Sequence, residues 1–303
     1  MHACRSCGLP ARPTPLPCGV VAFLHIPKTG GSTVQQHLLH RARTSGGGWA
    51  VSSVSAVETW TSILGRVRRS MSESPKHRPR LLVVHHVDAT VGFVNALLES
   101  NVLRPLDCLL RTRGCRLVRT TVLRAAAERA ASAAYYHGVP HSQYIPWVEE
   151  HATNGMLAFV LHNRPRARRH NQTVPLTVDD LRRAQRALAG FDAVGRTDEL
   201  SGFLGHLDAL LGWQPPSARR AALRGRAQNA TNGNAEAEPP VANPTPSSQK
   251  YELTAEETAW TRSRTRLDEQ LVDGLCTQEG GSCPFRSHAS AGRTAAEAEQ
   301  PSC

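Results

Sequence analysis

Short apolar runs alternate with stretches of helical periodicity along most of this chain. Val20 to His25 form the first run and Leu81 to Val84 the second, and Leu117, Val118 and Val122 mark a third among the threonines of Arg116 to Leu123. Runs of this length, ended by polar or turn-forming residues, predict buried strands. Val34, Leu38, Leu39 and Ala42 then fall at i, i+4, i+5 and i+8, one apolar face of a helix beginning at Ser32. An alanine-rich helix is predicted from Ala125 to Tyr136. Leu200, Phe203, Leu204, Leu207, Leu210 and Leu211 line the buried face of another. Thr254 and Glu257, three apart, form a capping box at the start of a last helical stretch. Strands alternating with helices predict an α/β fold, a doubly wound domain with a mainly parallel central sheet flanked by helices.

The junction after the first run carries the most chemistry. It reads Ile26-Pro27-Lys28-Thr29-Gly30-Gly31-Ser32-Thr33. Two glycines let backbone N–H groups approach an anion, and the following helix points its positive N-terminal end at the same spot. Ser32, Thr33 and Thr29 add hydroxyls, and Lys28 adds a full charge. In the nucleoside-triphosphate loop the lysine follows the second glycine and the next hydroxyl holds magnesium. No Gly-Lys dipeptide occurs here. Lys28 precedes Gly30 and Gly31, which places its ammonium nearer the leaving end of a bound group and removes the magnesium seat.

Two more strand ends carry polar groups. Arg124 follows the third strand, and Glu128, Ser132, Tyr135 and Tyr136 share one face of the helix behind it. A guanidinium fork matches phosphate geometry, and a serine is small enough to let the phosphate approach, so Arg124 and Ser132 can converge on a second phosphate. The second strand ends in His85 and His86, with Asp88 beyond. Reactive groups of open α/β sheets gather at the carboxyl ends of the strands, and a histidine there is suited to take a proton from a hydroxyl. Either histidine fills that role at this point.

The order Pro-Lys-Thr-Gly-Gly-Ser-Thr after a strand resembles the 5′-phosphosulfate loop of sulfotransferases that use PAPS, 3′-phosphoadenosine 5′-phosphosulfate. Thr121 to Tyr136 resembles the 3′-phosphate segment of Golgi-type carbohydrate sulfotransferases, T-x-L-R-D-P-x-x-R-x-x-S-x-Y-Y. Arg124 and Ser132 match its two phosphate contacts. Ala125 and Ala126 stand where that family has Asp-Pro. Phe191 to Trp213 and Leu253 to Leu275 resemble a later strand-turn-helix and the C-terminal helix of the same family, with Gly195 and Thr197 near the nucleotide. The resemblance covers residues 19 to 275 in patches and is to the heparan sulfate 2-O/6-O-like members. It implies a P-loop-like fold and PAPS as co-substrate without a metal. Lys28, Thr29, Gly30, Gly31, Ser32, Thr33, Arg124 and Ser132 hold PAPS in this reading, with Lys28 and His86 catalytic. The implied acceptor is a glycan or polysaccharide hydroxyl, and the implied location is the Golgi lumen or membrane.

A chain of 303 residues can bury one substantial core. Its expected organisation is a flexible segment at 1–18, the sulfotransferase domain at 19–213 and a disordered loop or insertion at 214–250. The C-terminal helical part follows at 251–285, then a flexible tail at 286–303. The net charge is +11, with arginines clustered at Arg66, Arg68, Arg69, Arg78 and Arg80 and at Arg164, Arg166, Arg168 and Arg169. Such clusters suit an electropositive rim that attracts a polyanionic acceptor. Nucleic acid is disfavoured as a partner, because aromatic residues make up only 5% and no zinc-finger, RNA-recognition or helix-turn-helix signature is present. Cys4 and Cys7 lack a second ligand pair for zinc, whereas Cys108 with Cys115 and Cys276 with Cys283 are spaced to close small loops in an oxidising compartment. Asn171 and Asn229 head glycosylation triplets. No stretch is long and apolar enough to span a bilayer, and no signal peptide is visible. A basic polyanion-binding module without activity and a P-loop-like nucleotide kinase are the alternative readings.

Overall fold

The computed structural model describes residues 16, 18–44, 49–54, 57–74, 78–86, 103–161, 175–213 and 252–274. The loop at 214–250, the tail at 286–303, Asp88, the second arginine cluster, both glycosylation triplets, Cys4, Cys7 and the Cys276/Cys283 pair lie outside them.

The first apolar run is the central strand. β1 (Gly19–His25) pairs in parallel with β3 (Arg80–His86) on one side and β4 (Arg116–Leu123) on the other. β2 (Ala50–Val54) and β5 (Ala193–Arg196) complete a sheet ordered β2-β3-β1-β4-β5, parallel throughout. Such a strand is buried on both faces, which is why it reads as a continuous apolar run. Successive side chains go to opposite layers: Val20, Ala22 and Leu24 enter one core cluster, Val21 and Phe23 the other.

A right-handed crossover puts its helix on one face when the chain steps one way along the sheet and on the other when it steps back. The step from β1 out to β2 carries α1 (Gly31–Thr44), which packs with α8 (Leu200–Leu211) through Val34, Leu38, Phe203 and Leu207. The return steps carry α2 (Val57–Glu73), α3 (Leu103–Arg111) and, between β4 and β5, α4 (Ala126–Tyr136), α5 (Tyr144–His151), α6 (Gly155–Leu161) and α7 (Val178–Ala189). Asp208 of α8 accepts from Arg41 Nη2 at 3.0 Å and lies 2.8 Å from His37 Nε2, which ties α8 to α1, the helix behind the glycine loop. Leu16 and Cys18, within the segment expected to be loose, are both part of the buried core.

The last helical stretch divides at Thr265 into α9 (Ala255–Arg264) and α10 (Arg266–Asp273). The expected capping box opens α9, with the Thr254 side chain accepting from Glu257 N and the Glu257 carboxylate accepting from Thr254 N. The break lets two helix ends cap each other. Asn154 Oδ1 accepts from Leu267 N at 3.0 Å, and Asp268 of α10 accepts from Met156 N and Leu157 N of α6 at 2.9 and 2.7 Å. These bonds satisfy backbone N–H groups that a helix start leaves without partners. Burial pushes the Asp268 carboxyl up to about 6, against the opposing pull of Arg129 and the two N–H donors.

Cys115 pairs with Cys18 and not with the nearby Cys108. Cys18 and Cys115 each immediately precede one of two adjacent strands whose register opens with Gly19 opposite Arg116, so their Cα atoms stand 5.0 Å apart. That geometry suits a disulfide. Cys108 is also disulfide-bonded. The pairing expected from local spacing is therefore corrected by the strand order. In the first arginine cluster Arg66, Arg68, Arg69, Arg78 and Arg80 are all exposed, and Arg78 and Arg80 lead into the amino end of β3.

Replacing Cys18 by serine should lower unfolding stability by about 2–5 kcal/mol in denaturant titration, because the bond closes a loop of 97 residues. Asp268 gives a second expectation. Its folded pKa of about 6 exceeds the ordinary 3.8, so the folded chain holds the extra proton between those values. This group's contribution to stability should rise as pH falls from 6 to 4 and vanish as pH rises through 6. The stability difference between wild type and Asp268→Asn, measured across that window, checks it.

Candidate functional site

β1 delivers Lys28 to Thr33 to the carboxyl edge of the sheet, between the ends of β3 and β4. The turn is held by its own threonine: buried Thr29 donates from Oγ1 to Ile26 O at 2.9 Å. Lys28 and Gly30 have positive φ, 66° and 81°, on either side of Thr29. Alternation of this kind curls successive N–H groups toward one concavity. The conformation costs glycine nothing and costs lysine strain. Thr33 N and Val34 N donate back to Gly30 O at 3.0 and 3.3 Å, starting α1. Ser32 and Thr33, both half-buried, sit in its first turn.

Gly31 has no room for a side chain. A Cβ there would lie 2.0 Å from Cδ2 of His25, whose ring packs directly beneath the loop and stacks on Phe23. His25 is a site residue that the sequence reading passed over as the last position of a strand. Its signal was that position itself, the carboxyl end of the central strand, where it stands opposite His86 in the register.

The loop is tied to the far side of the sheet. The Thr197 hydroxyl lies 2.8 Å from Thr29 O and 3.0 Å from Leu123 O, joining the loop, the end of β4 and the turn after β5. Gly195 by contrast lies against the Phe203 ring in the core. Arg124 follows β4 directly. Its Nε donates to Glu128 Oε2 at 3.2 Å and its Nη1 lies 3.5 Å from Lys28 O. The two basic segments picked out by sequence thus meet at one rim.

α4 presents three faces. Ala126 packs on the sheet layer, while Ala130 and Ala134 pack with Tyr144 and Val148 of α5 in a separate cluster. Small side chains allow this close approach on two sides. The third face carries Glu128, Ser132 and Tyr136 at successive i+4 steps. Glu128 holds Arg124, and the Tyr136 ring lies under the Lys28 ammonium at 4.2 Å. Ser132, half-buried, falls between the residue that holds Arg124 and the one whose ring lies under the Lys28 ammonium. Arg129 is buried over Phe159 and close to Asp268, and serves packing. Ala125 precedes α4 without any side-chain cap, as its Cβ-only side chain requires.

His85 lies in the core. It is fully buried, and its Nδ1 accepts a hydrogen bond from Trp60 Nε1 at 3.0 Å in the core below α2. His86 ends β3 level with His25; its side chain lies outside the description. Burial and the neighbouring Arg124 guanidinium together hold the Lys28 pKa below the ordinary lysine value. Two cations side by side near hydroxyls and an N–H cradle form an arrangement that attracts an anion.

No protein-family model matches the chain, and no curated protein matches it. A solved structure from the PezAT chromosomal toxin–antitoxin system of Streptococcus pneumoniae is similar at 12% identity over 71% of this chain and 87% of its own, with a TM-score of 0.26. Likeness at that level carries no argument about function.

Gly31→Ala should destabilise the fold by about 1–3 kcal/mol, the usual cost of overpacking. Adding His25→Ala should recover most of that loss, because the ring is what the new methyl meets; thermal unfolding of both variants checks the coupling.

Proposed function

We propose that the chain is an O-sulfotransferase that moves a sulfuryl group from PAPS to a hydroxyl of a carbohydrate acceptor. The observation that carries this reading is the meeting of two anion-binding segments at one rim, with Arg124 Nη1 3.5 Å from the carbonyl of Lys28. PAPS bears phosphates at both ends of its nucleoside and supplies the sulfuryl group. The residue types fit it: a glycine turn, Ser32, Thr33 and Lys28 for the 5′ end, Arg124 and Ser132 for the 3′-phosphate. The absence of a Gly-Lys pair with a following magnesium-binding hydroxyl weighs against a nucleotide kinase.

In this reading His86 takes the acceptor hydroxyl's proton while the oxygen forms its bond to sulfur. The bond from sulfur to the bridging phosphate oxygen breaks, and its electron pair stays on that oxygen. Lys28 stabilises the charge gathering there. Arg124 and Ser132 hold the nucleotide end, and Thr29 and Thr197 keep the loop in register with β4. The Cys18–Cys115 disulfide suits an oxidising compartment such as the Golgi lumen. Among the described residues no helix is long and apolar enough to cross a membrane.

Incubating the full chain with radiolabelled PAPS and a panel of polysaccharides, with tyrosine peptides as a control, tests the reading. Label should pass to a polysaccharide. Binding of polyanions without consumption of PAPS would leave an inactive module instead. Lys28→Ala and His86→Ala should each lower turnover by on the order of a hundredfold, typical of losing a charge stabiliser or a base. Undiminished turnover in His86→Ala would remove that residue from the mechanism.

A further inference from the structure

This chain has 33 arginines and only three lysines, Lys28, Lys76 and Lys250. One of the three stands at the mouth of the glycine loop, in a left-handed backbone conformation that few side-chain-bearing residues adopt. Its ammonium meets no carboxylate among the described residues that shift its pKa. The charged groups bearing on it are Arg124 from the end of β4 and, through Arg124, Glu128 of α4. What it does meet is the face of Tyr136, 4.2 Å from ammonium to ring centroid. Tyr136 is 69% exposed, so core packing does not explain its position. It ends the stripe on α4 that also carries Ser132, and His137 braces it edge-on at 5.3 Å.

The geometry points to Tyr136 as a positioning residue for Lys28, its ring face fixing the ammonium at the loop mouth without neutralising the charge. A carboxylate in the same place would also fix the lysine, but it would cancel the field that draws in an anion and would repel the anion directly. An aromatic quadrupole attracts the cation and leaves its charge available. The compact ammonium suits this arrangement. An arginine there would stack flat on the ring and offer its fork to Glu128. The assignment rests on the anion-handling reading of the loop given above and adds how its cation is held.

The small number of lysines makes the test direct. The full chain labelled with 13Cε-lysine gives three resonances, and Lys28→Arg identifies the one from residue 28. In Tyr136→Leu that resonance should titrate about 0.3–1.5 pH units lower than in wild type, since the ring favours the charged form. Tyr136→Phe keeps the ring and should restore the wild-type titration. Wild type offers an independent readout if the leucine variant folds poorly: Lys28 Hε protons over a ring face resonate upfield of those of the other two lysines. Calorimetry with 3′-phosphoadenosine 5′-phosphate should show affinity reduced about threefold to tenfold in Tyr136→Leu and restored in Tyr136→Phe. An unmoved Lys28 titration in Tyr136→Leu, a phenylalanine variant that behaves like the leucine one, or no upfield shift in wild type would overturn the assignment. Failure of wild type to bind the nucleotide would overturn the donor reading, and the lysine titration would still decide the role of Tyr136.

Discussion

The site depends on β1 being paired in parallel on both sides. Because Leu24 stands opposite His85 of β3 and Thr121 of β4, the three strands end within one residue of one another, and whatever follows each of them gathers at a single edge. The register is reinforced from within, as buried Thr121 donates its hydroxyl to Leu24 O at 2.9 Å. A one-residue slip of β4 would break that bond, turn Val118 and Val122 away from the α1/α8 layer and carry Arg124 off the loop. The Cys18–Cys115 bond holds the other end of the same strand pair.

With the strand ends aligned, electrostatics gives the edge its character. Lys28 and Arg124 are held close despite their mutual repulsion, and Lys28 is partly desolvated as well, which is why its pKa falls. Holding two like charges together in this way costs stability. The backbone strain at Lys28 works in the same direction. The helices meet these costs with ordinary packing: α1 on Asp208 of α8, α4 on two alanine faces, α6 and α10 on each other's ends.

α4 links the scaffold to the candidate site. Its alanines let it pack on the sheet layer and on α5 at once, and the one face left over is the one that carries Glu128, Ser132 and Tyr136. The Ala125-Ala126 start, which departs from the Asp-Pro of the sulfotransferases this segment resembles, leaves the first turn of α4 without a side-chain cap. Arg124 keeps its place through Glu128 and the loop carbonyl, contacts that do not involve the departing residues.

Local pattern determined a good deal by itself. The apolar runs, the glycine turn, the helix that follows it, the arginine at the end of β4, the i+4 stripe on α4 and the Thr254/Glu257 capping box depend on residues within a few positions of one another, where chain geometry dictates what can meet. The parallel α/β architecture followed from the alternation of those elements. Tertiary structure alone decided the Cys18–Cys115 pairing, the burial of His85 on Trp60, the His25 ring beneath Gly31, the mutual capping of α6 and α10, and the Tyr136 face under Lys28. Each joins residues through the order of strands in the sheet or the packing of separate helices. That order is set by which layers bury together, a property of the whole chain that the spacing of residues along it does not encode.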